Sequence, residues 1–138
     1  MSFLTSERHL NSLLLLSIRE RNIALTKKSL LAGANPNSID DRGLSALHLA
    51  AAGKDNLAIR LLIANGADPR LLSQSDISPL VSAILFGSLD VVKTIAEHCA
   101  DWEPHSTGIL GALEAALINN KQAIAEYLIR HGANVNLL

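Results

Sequence analysis

Residues 45–51 read Ser-Ala-Leu-His-Leu-Ala-Ala, and related phrases recur along the chain at a fixed spacing. Its equivalents are Ser12-Leu13-Leu14, Ser78-Pro79-Leu80 and Gly111-Ala112-Leu113, so the phrases begin at positions 12, 45, 78 and 111. A second set of phrases keeps the same spacing: Gly33-Ala34-Asn35, Gly66-Ala67-Asp68, Cys99-Ala100-Asp101 and Gly132-Ala133-Asn134. Because two independent phrases share one register, the sequence predicts a repeat protein. The length of one repeat is the constant distance between successive phrases.

Each unit is predicted to form two helices. Ser12, Ser45 and Ser78 precede short apolar helical runs, where a serine hydroxyl can cap free backbone N–H groups. Pro79 then falls at the first helical position, where its missing N–H is harmless. The second helix carries apolar residues at helical spacing, for example in residues 58–63.

Glycines are predicted to end the second helices by adopting the left-handed conformation, at Gly33, Gly66 and Gly132. Cys99 takes that position in the third unit, so we expect a distorted loop there. Asn35-Pro36 and Asp68-Pro69 begin turns into the following unit.

These phrases resemble those of a known repeat family. Residues 45–51 resemble the Thr-Pro-Leu-His-x-Ala-Ala phrase of ankyrin repeats, residues 87–93 resemble that family's second-helix phrase, and residues 63–68 resemble its repeat ending. The resemblance implies an all-α solenoid of about four helix–turn–helix repeats joined by hairpin-like loops. It implies one domain over residues 1–138, with repeats at about 7–39, 40–72, 73–105 and 106–138.

Composition excludes several other classes of protein. With 49% hydrophobic residues and a net charge of −1, the chain of 138 residues has ample material for a folded core, which excludes a disordered protein. A lone Cys99 cannot form an internal disulfide, which excludes a disulfide-stapled secreted scaffold. The apolar run at residues 10–18 is too short and too polar to span a bilayer. We therefore expect no membrane association and a cytoplasmic or nuclear location.

The chain lacks the strong basic surface that is normal for proteins that bind phosphate backbones, so no nucleic acid is expected as a partner. Up to residue 39 it carries five basic residues against two acidic ones, and the remainder is acidic.

No constellation of residues predicts catalysis, and no cofactor or metal is expected. Asp40 and Asp41 fall on a turn tip, where solvated charge is the simpler interpretation. His48 lies three residues after Ser45, but no acid is placed to orient it; the family resemblance implies that it hydrogen-bonds loop backbone between repeats. The remaining candidate is a cluster that lacks the ligand spacing of a zinc site, namely His98, Cys99, Asp101, Glu103 and His105.

Another protein is the expected partner, because stacked repeats form an extended concave surface. Positions carried over from the family by register predict the contact residues. On the hairpin tips they are Asp41, Arg42, Leu44, Gln74, Ser75, Ile77 and Leu110. At the ends of the first helices they are Arg19, Glu20, Ala52, Gly53, Leu85, Phe86, Ile118 and Asn119.

Leu85, Phe86 and Ile118 are the informative positions, since large apolar groups on a groove commonly mark an interface. Alternatively, Leu85 and Phe86 turn inward beside Ala112 and Ala115. Trp102, on the loop after the third repeat, either contacts a partner or covers helix ends.

Three functional interpretations stay open. The first is a non-enzymatic protein–protein interaction module. The second is the recognition arm of a larger enzyme, such as a ubiquitin ligase or a nuclease. The third is a regulatory subunit of an enzyme complex such as a kinase. The apolar second helix of the fourth repeat adds the hypothesis of self-association through that repeat.

Overall fold

Eight α-helices form the described part of the chain, which in this computed structural model comprises residues 6–98 and 107–131, with side chains described from residue 111 onward in the second range. The helices are α1 (Glu7–Arg19), α2 (Ile23–Leu31), α3 (Ala46–Ala52), α4 (Asn56–Ala64), α5 (Pro79–Phe86), α6 (Leu89–Glu97), α7 (Thr107–Ile118) and α8 (Gln122–Arg130).

The helices pack in two layers. Each odd-numbered helix packs against the even-numbered helix that follows it, as α1 does on α2. The odd-numbered helices also stack on one another to form an inner layer, and the even-numbered helices form an outer layer in the same order. The predicted all-α solenoid of helix pairs is therefore confirmed. No helix in the described ranges is long and apolar enough to cross a membrane.

Equivalent leucines build the core between successive pairs. Leu14, Leu47, Leu80 and Leu113 occupy the same position in the four repeats, and each is buried. A second buried series on the outer helices is Ser29, Leu62, Ile95 and Leu128. Ser29 is the small polar member of this series and its Oγ has no hydrogen-bond partner, so the first repeat lacks an apolar side chain at this core position.

Serines begin the two central inner helices, as predicted. The Ser45 side chain accepts a hydrogen bond from the His48 amide, and the Ser78 side chain accepts one from the Val81 amide. Pro79 occupies the first turn of α5. The prediction for Ser12 is wrong: α1 begins at Glu7, Ser6 accepts from the His9 amide, and the Ser12 hydroxyl donates to the Arg8 carbonyl within the helix.

The terminal inner helices are longer than expected. We predicted short first helices throughout, and α3 and α5 have 7 and 8 residues, but α1 has 13 and α7 has 12. In α1 the additional turn precedes the repeat phrase, where Ser6 supplies a cap that Ser12 does not.

Two of the predicted glycine terminators are confirmed. Gly33 and Gly66 have φ of 110° and 97°, and a Cβ at either position would meet nothing within 4 Å. Their requirement for glycine is therefore conformational rather than steric. Gly132 and the loop at Cys99 lie outside the described residues.

Polar side chains join the turns of neighbouring repeats. The Asn37 carboxamide oxygen accepts from the Asp68 amide at 2.7 Å, and its NH₂ group donates to the Gly66 carbonyl. In the first repeat the equivalent amide, that of Asn35, donates to Asn11 on α1 instead, also at 2.7 Å. The long first helix thus supplies the cap that a preceding loop supplies elsewhere.

Gly87 is required for a different reason. Its φ is not in the left-handed region, but a Cβ there would lie 2.7 Å from the Ala51 and Ala83 carbonyl oxygens and from a Val91 methyl group. Since two of these neighbours are backbone atoms, they cannot move aside, and the end of α5 approaches α3 closely only because position 87 has no side chain.

Gly87→Ala should therefore destabilise the protein by about 1–3 kcal/mol, the usual cost of overpacking. The matched control is Gly111→Ala within α7, where a Cβ would meet nothing within 4 Å. This control should instead stabilise the protein by up to about 1 kcal/mol through helix propensity. Urea unfolding followed by circular dichroism measures both changes. Equal stabilisation by the two substitutions would contradict the close approach at Gly87.

Candidate protein-interaction surface

His48 belongs to the structure that supports the surface. Its Nδ1 accepts from the Ser45 amide at 3.1 Å, and its Nε2 therefore donates to the Ile77 carbonyl at 2.7 Å. The ring is 1% exposed and connects the start of α3 to the next hairpin. This agrees with the structural role that we expected for His48.

The pKa of His48 follows from this position. Burial lowers the pKa below its ordinary value of 6.5, whereas the bond to Ile77 and the charge of Asp40 oppose the shift. The imidazole is therefore held neutral, with Nδ1 available as an acceptor.

Asp40 organises the first hairpin tip. Its Oδ1 accepts from the amides of Arg42 and Leu44, and its Oδ2 accepts from the Arg19 guanidinium at 2.9 Å. The side chain is 9% exposed. Burial would raise the pKa of Asp40, but the two amides and Arg19 together hold it below its ordinary value. We expected solvated carboxylates here; this is wrong for Asp40 and holds for exposed Asp41.

The same hairpin recurs in the third repeat with a neutral side chain. Ser73, the equivalent of Asp40 in that repeat, accepts from the Ser75 and Ile77 amides through its hydroxyl. The position equivalent to Arg19 is Ala52. The Arg19–Asp40 ion pair is thus replaced, one repeat later, by the uncharged pair of Ala52 and Ser73.

A cleft of about 280 Å³ lies between α1, the first hairpin tip and α3. It brings together four of the predicted contact residues with two residues that sequence analysis did not assign to the surface. The lining residues are Arg19, Asp40, Asp41, Arg42, Leu44 and Leu49. Both partners of the ion pair lose their charge together one repeat later, where Ala52 and Ser73 stand. This paired change is the sequence signal that could have identified Asp40 as the partner of Arg19.

Large apolar side chains lie at the other end of the inner layer. Phe86, the last residue of α5, is 63% exposed, and Ile118, the last residue of α7, is 82% exposed. Leu85 is half-buried. The inward orientation considered for Phe86 is therefore not the one that the structure shows.

The full set of predicted contact residues divides by exposure. Those that are exposed are Arg19, Glu20, Asp41, Arg42, Gly53, Gln74, Ser75, Phe86, Ile118 and Asn119. Those that are half-buried are Leu44, Ala52, Ile77 and Leu85. Trp102 and the Leu110 side chain lie outside the described residues.

Metal binding has no support among the described side chains, where no group of three His, Cys, Asp or Glu residues could hold an ion. Most of the cluster considered from sequence, namely Cys99, Asp101, Glu103 and His105, lies outside them.

Comparison with known proteins identifies the class. The ankyrin repeat pattern, in three copies, matches residues 14–107. The chain belongs to the ankyrin repeat family, whose members are generally non-catalytic protein–protein interaction modules.

Three relatives illustrate the range of proteins that carry similar repeats. Alpha-latrocrustotoxin-Lt1a of Latrodectus tredecimguttatus is 35% identical over 88 residues, which is 63% of this chain and 6% of the toxin. A putative ankyrin repeat protein of fowlpox virus is 28% identical over 73% of this chain and 23% of its own length. The human ankyrin repeat and MYND domain-containing protein 1 is 33% identical over 70% of this chain and 12% of its own length. The chain thus spans less than a quarter of each relative.

The lowered pKa of His48 predicts a loss of stability in mild acid. Below pH 6.5 the unfolded chain takes up a proton at position 48, but the folded protein does so only at its lower pKa. The free energy of unfolding should therefore fall as the pH decreases from 6.5, and this dependence should be weaker in His48→Gln. A second loss should follow below pH 3.8 as Asp40 is protonated. Urea titrations between pH 7 and 3 measure both, and identical slopes near pH 6 in the two proteins would refute the assignment to His48.

Proposed function

We propose that this chain is a non-enzymatic interaction module that binds a partner protein through its concave surface and hairpin tips. The observation that carries the proposal is the exposure of Phe86 and Ile118 at the ends of α5 and α7. Neither side chain contributes much to the core, and neighbouring exposed apolar groups on a repeat surface are typical of an interface.

The proposal also covers the domain organisation and the cellular location of the chain. We propose one domain of four repeats, at about 7–39, 40–72, 73–105 and 106–138, that acts in the cytoplasm or nucleus without binding nucleic acid or membrane. The stacking residues carry stability and the surface residues carry recognition, so the two sets can be mutated separately.

Phe86→Ala should leave the free energy of unfolding within about 0.5 kcal/mol of wild type, as is usual for an exposed side chain. The same substitution should weaken capture of the partner, because it removes the large apolar contact. Affinity capture followed by mass spectrometry, with urea unfolding of the same samples, measures both effects.

The matched control is Leu57→Ala on the outer helix α4, where the side chain is 68% exposed. Proteins retained by wild type and by Leu57→Ala but lost from Phe86→Ala support the proposal. Equal retention by Phe86→Ala and Leu57→Ala, or a large loss of stability in Phe86→Ala, would refute it.

We also propose self-association through the fourth repeat. Leu117 and Ile129 are 51% and 45% exposed and line a groove of about 280 Å³ between α7 and α8. Their equivalents one repeat earlier, Ile84 and Ala96, are buried where α7 and α8 follow them. Leu117 and Ile129 therefore occupy positions that are covered by stacking one repeat earlier, beside a polar rim of Asn120, Lys121, Gln122 and Glu126, and a second copy of the chain is the proposed occupant.

Sedimentation velocity over a range of protein concentrations tests this second proposal. Wild type and Leu31→Arg, a control at an 87% exposed position on α2, should both associate as concentration rises. Leu117→Arg should remain monomeric, because it places a charge in the groove. A wild-type chain that stays monomeric at high concentration removes the proposal.

A further inference from the structure

Asn65 and Gly66 form a chemically reactive pair at the end of α4. Asn65 caps the C-terminal end of this helix and is exposed, and Gly66 follows it with a left-handed φ of 97°. In the other repeats the residue at the position of Asn65 is Ala32, His98 or His131. No other asparagine of the chain is followed by glycine, so the pair is particular to the second repeat.

An asparagine that precedes glycine can lose its side-chain amide without an enzyme. The Gly66 amide nitrogen attacks Cγ of Asn65, a C–N bond forms, and the bond from Cγ to Nδ2 breaks. The amide proton leaves with Nδ2 as ammonia, and a cyclic succinimide remains. Water then opens the ring at either carbonyl to give aspartate or isoaspartate, and no electrons are gained or lost. Asparagine is a thermolabile residue, and glycine places no side chain in the path of the attack.

The surroundings of the pair leave room for this reaction. A Cβ at Gly66 would meet no other part of the described chain within 4 Å. Since Asn65 is also exposed, water reaches the pair, as the second step of the reaction requires.

Both reacting groups are hydrogen-bonded in the folded chain, and to different partners. The Gly66 amide donates to the Ile63 carbonyl at 3.0 Å. The Asn65 side-chain NH₂ group donates to the Leu61 carbonyl at 2.8 Å, so the side chain lies back along α4. The attack on Cγ requires the side chain to leave Leu61 and the amide to leave Ile63. The reaction therefore proceeds only when the end of α4 opens locally.

Asn37, in the preceding turn, restrains the same end of α4 from outside the helix. Its NH₂ group donates to the Gly66 carbonyl at 3.2 Å, and its oxygen accepts from the Asp68 amide at 2.7 Å. These contacts hold the backbone on both sides of Ala67, which is 6% exposed. The stacking of one turn on the next thus helps to keep the end of α4 closed.

We propose that Asn65–Gly66 is a site of spontaneous deamidation whose rate is controlled by the opening of the end of α4. Either product replaces the NH₂ donor of Asn65 by a carboxylate near the Leu61 carbonyl, and isoaspartate also adds a methylene to the main chain before Gly66. A negative charge at the C-terminal end of a helix is unfavourable. Modification therefore weakens the end of α4 and its contact with Asn37, so a modified chain opens more readily than an unmodified one.

Peptide mapping of the full chain, incubated at mildly alkaline pH in buffer and in guanidinium chloride, tests the proposal. Trypsin releases residues 61–70 as one peptide, and mass spectrometry measures the fraction converted to the acid. In denaturant this peptide should convert, with isoaspartate among the products. In buffer the conversion should be about tenfold or more slower, since two hydrogen bonds must open first.

Asn119 is the control within the same chain. Its NH₂ group donates to the Ala115 carbonyl at 2.8 Å, as that of Asn65 does to Leu61, but Asn120 follows it instead of glycine. Asn119 should therefore stay unmodified while Asn65 converts. Conversion of Asn119 as fast as Asn65, or no conversion of residues 61–70 in denaturant, would overturn the site. Equal rates for Asn65 in buffer and in denaturant would overturn its control by the fold.

Asn37→Ala should speed the conversion of Asn65 in buffer and leave the rate in denaturant unchanged. The matched control is Asn11→Ala, which removes the equivalent bond to the Asn35 amide one repeat earlier and should keep the wild-type rate. Circular dichroism checks that both variants are folded, and the wild-type comparison of buffer with denaturant does not depend on them. A folded Asn37→Ala chain that converts at the wild-type rate in buffer would overturn the restraint assigned to Asn37.

Discussion

The structure depends on one constraint: the apolar face of each of the first three helix pairs is covered by the next pair. Leu47 and Leu80 are buried in successive inner helices, and Leu62 and Ile95 are buried in the corresponding outer helices. A single pair of short helices has no such cover of its own, so stacking is a condition of folding rather than an addition to it. The scarcity of aromatic residues, 3% of the chain, fits this close packing of leucine and alanine.

Polar contacts then fix how the pairs are stacked. His48 joins one repeat to the carbonyl of Ile77 in the next, and Asn37 joins one turn to the backbone of the following turn. In the first repeat another residue serves the same purpose, because Asn11 accepts from the Asn35 amide. The contact from Asn11 gives a hydrogen bond to a backbone amide that would otherwise be unsatisfied.

Sequence predicted what is periodic. The constant spacing of the repeat phrases, the caps Ser45 and Ser78, the terminators Gly33 and Gly66, and the bridging role of His48 could all be inferred, because each depends on local chemistry repeated in register. The start of α1 could not, since Ser6 lies outside the repeat phrase and competes with Ser12 as a cap. The role of Asp40 was missed because it depends on Arg19, which is distant in sequence.

The register of the repeats predicted Phe86 on the contact surface but left an inward orientation open, and the structure shows the side chain exposed. Helix α5 continues through Phe86, and the next position is a glycine where a Cβ would lie 2.7 Å from the Ala51 carbonyl oxygen of another helix. A pattern of residue types does not show that this space is already filled. The Phe86 ring is exposed at the end of an inner helix and does not join the core, so it is available to the proposed binding surface.

The proposed function thus places recognition and stability in different residues. NMR chemical-shift mapping of the ¹⁵N-labelled chain, titrated with a partner obtained by capture, tests it most directly. The account predicts shifts concentrated at the first hairpin tip and at the C-terminal ends of α1, α3, α5 and α7. Shifts concentrated on the outer helices α2, α4, α6 and α8 would contradict it.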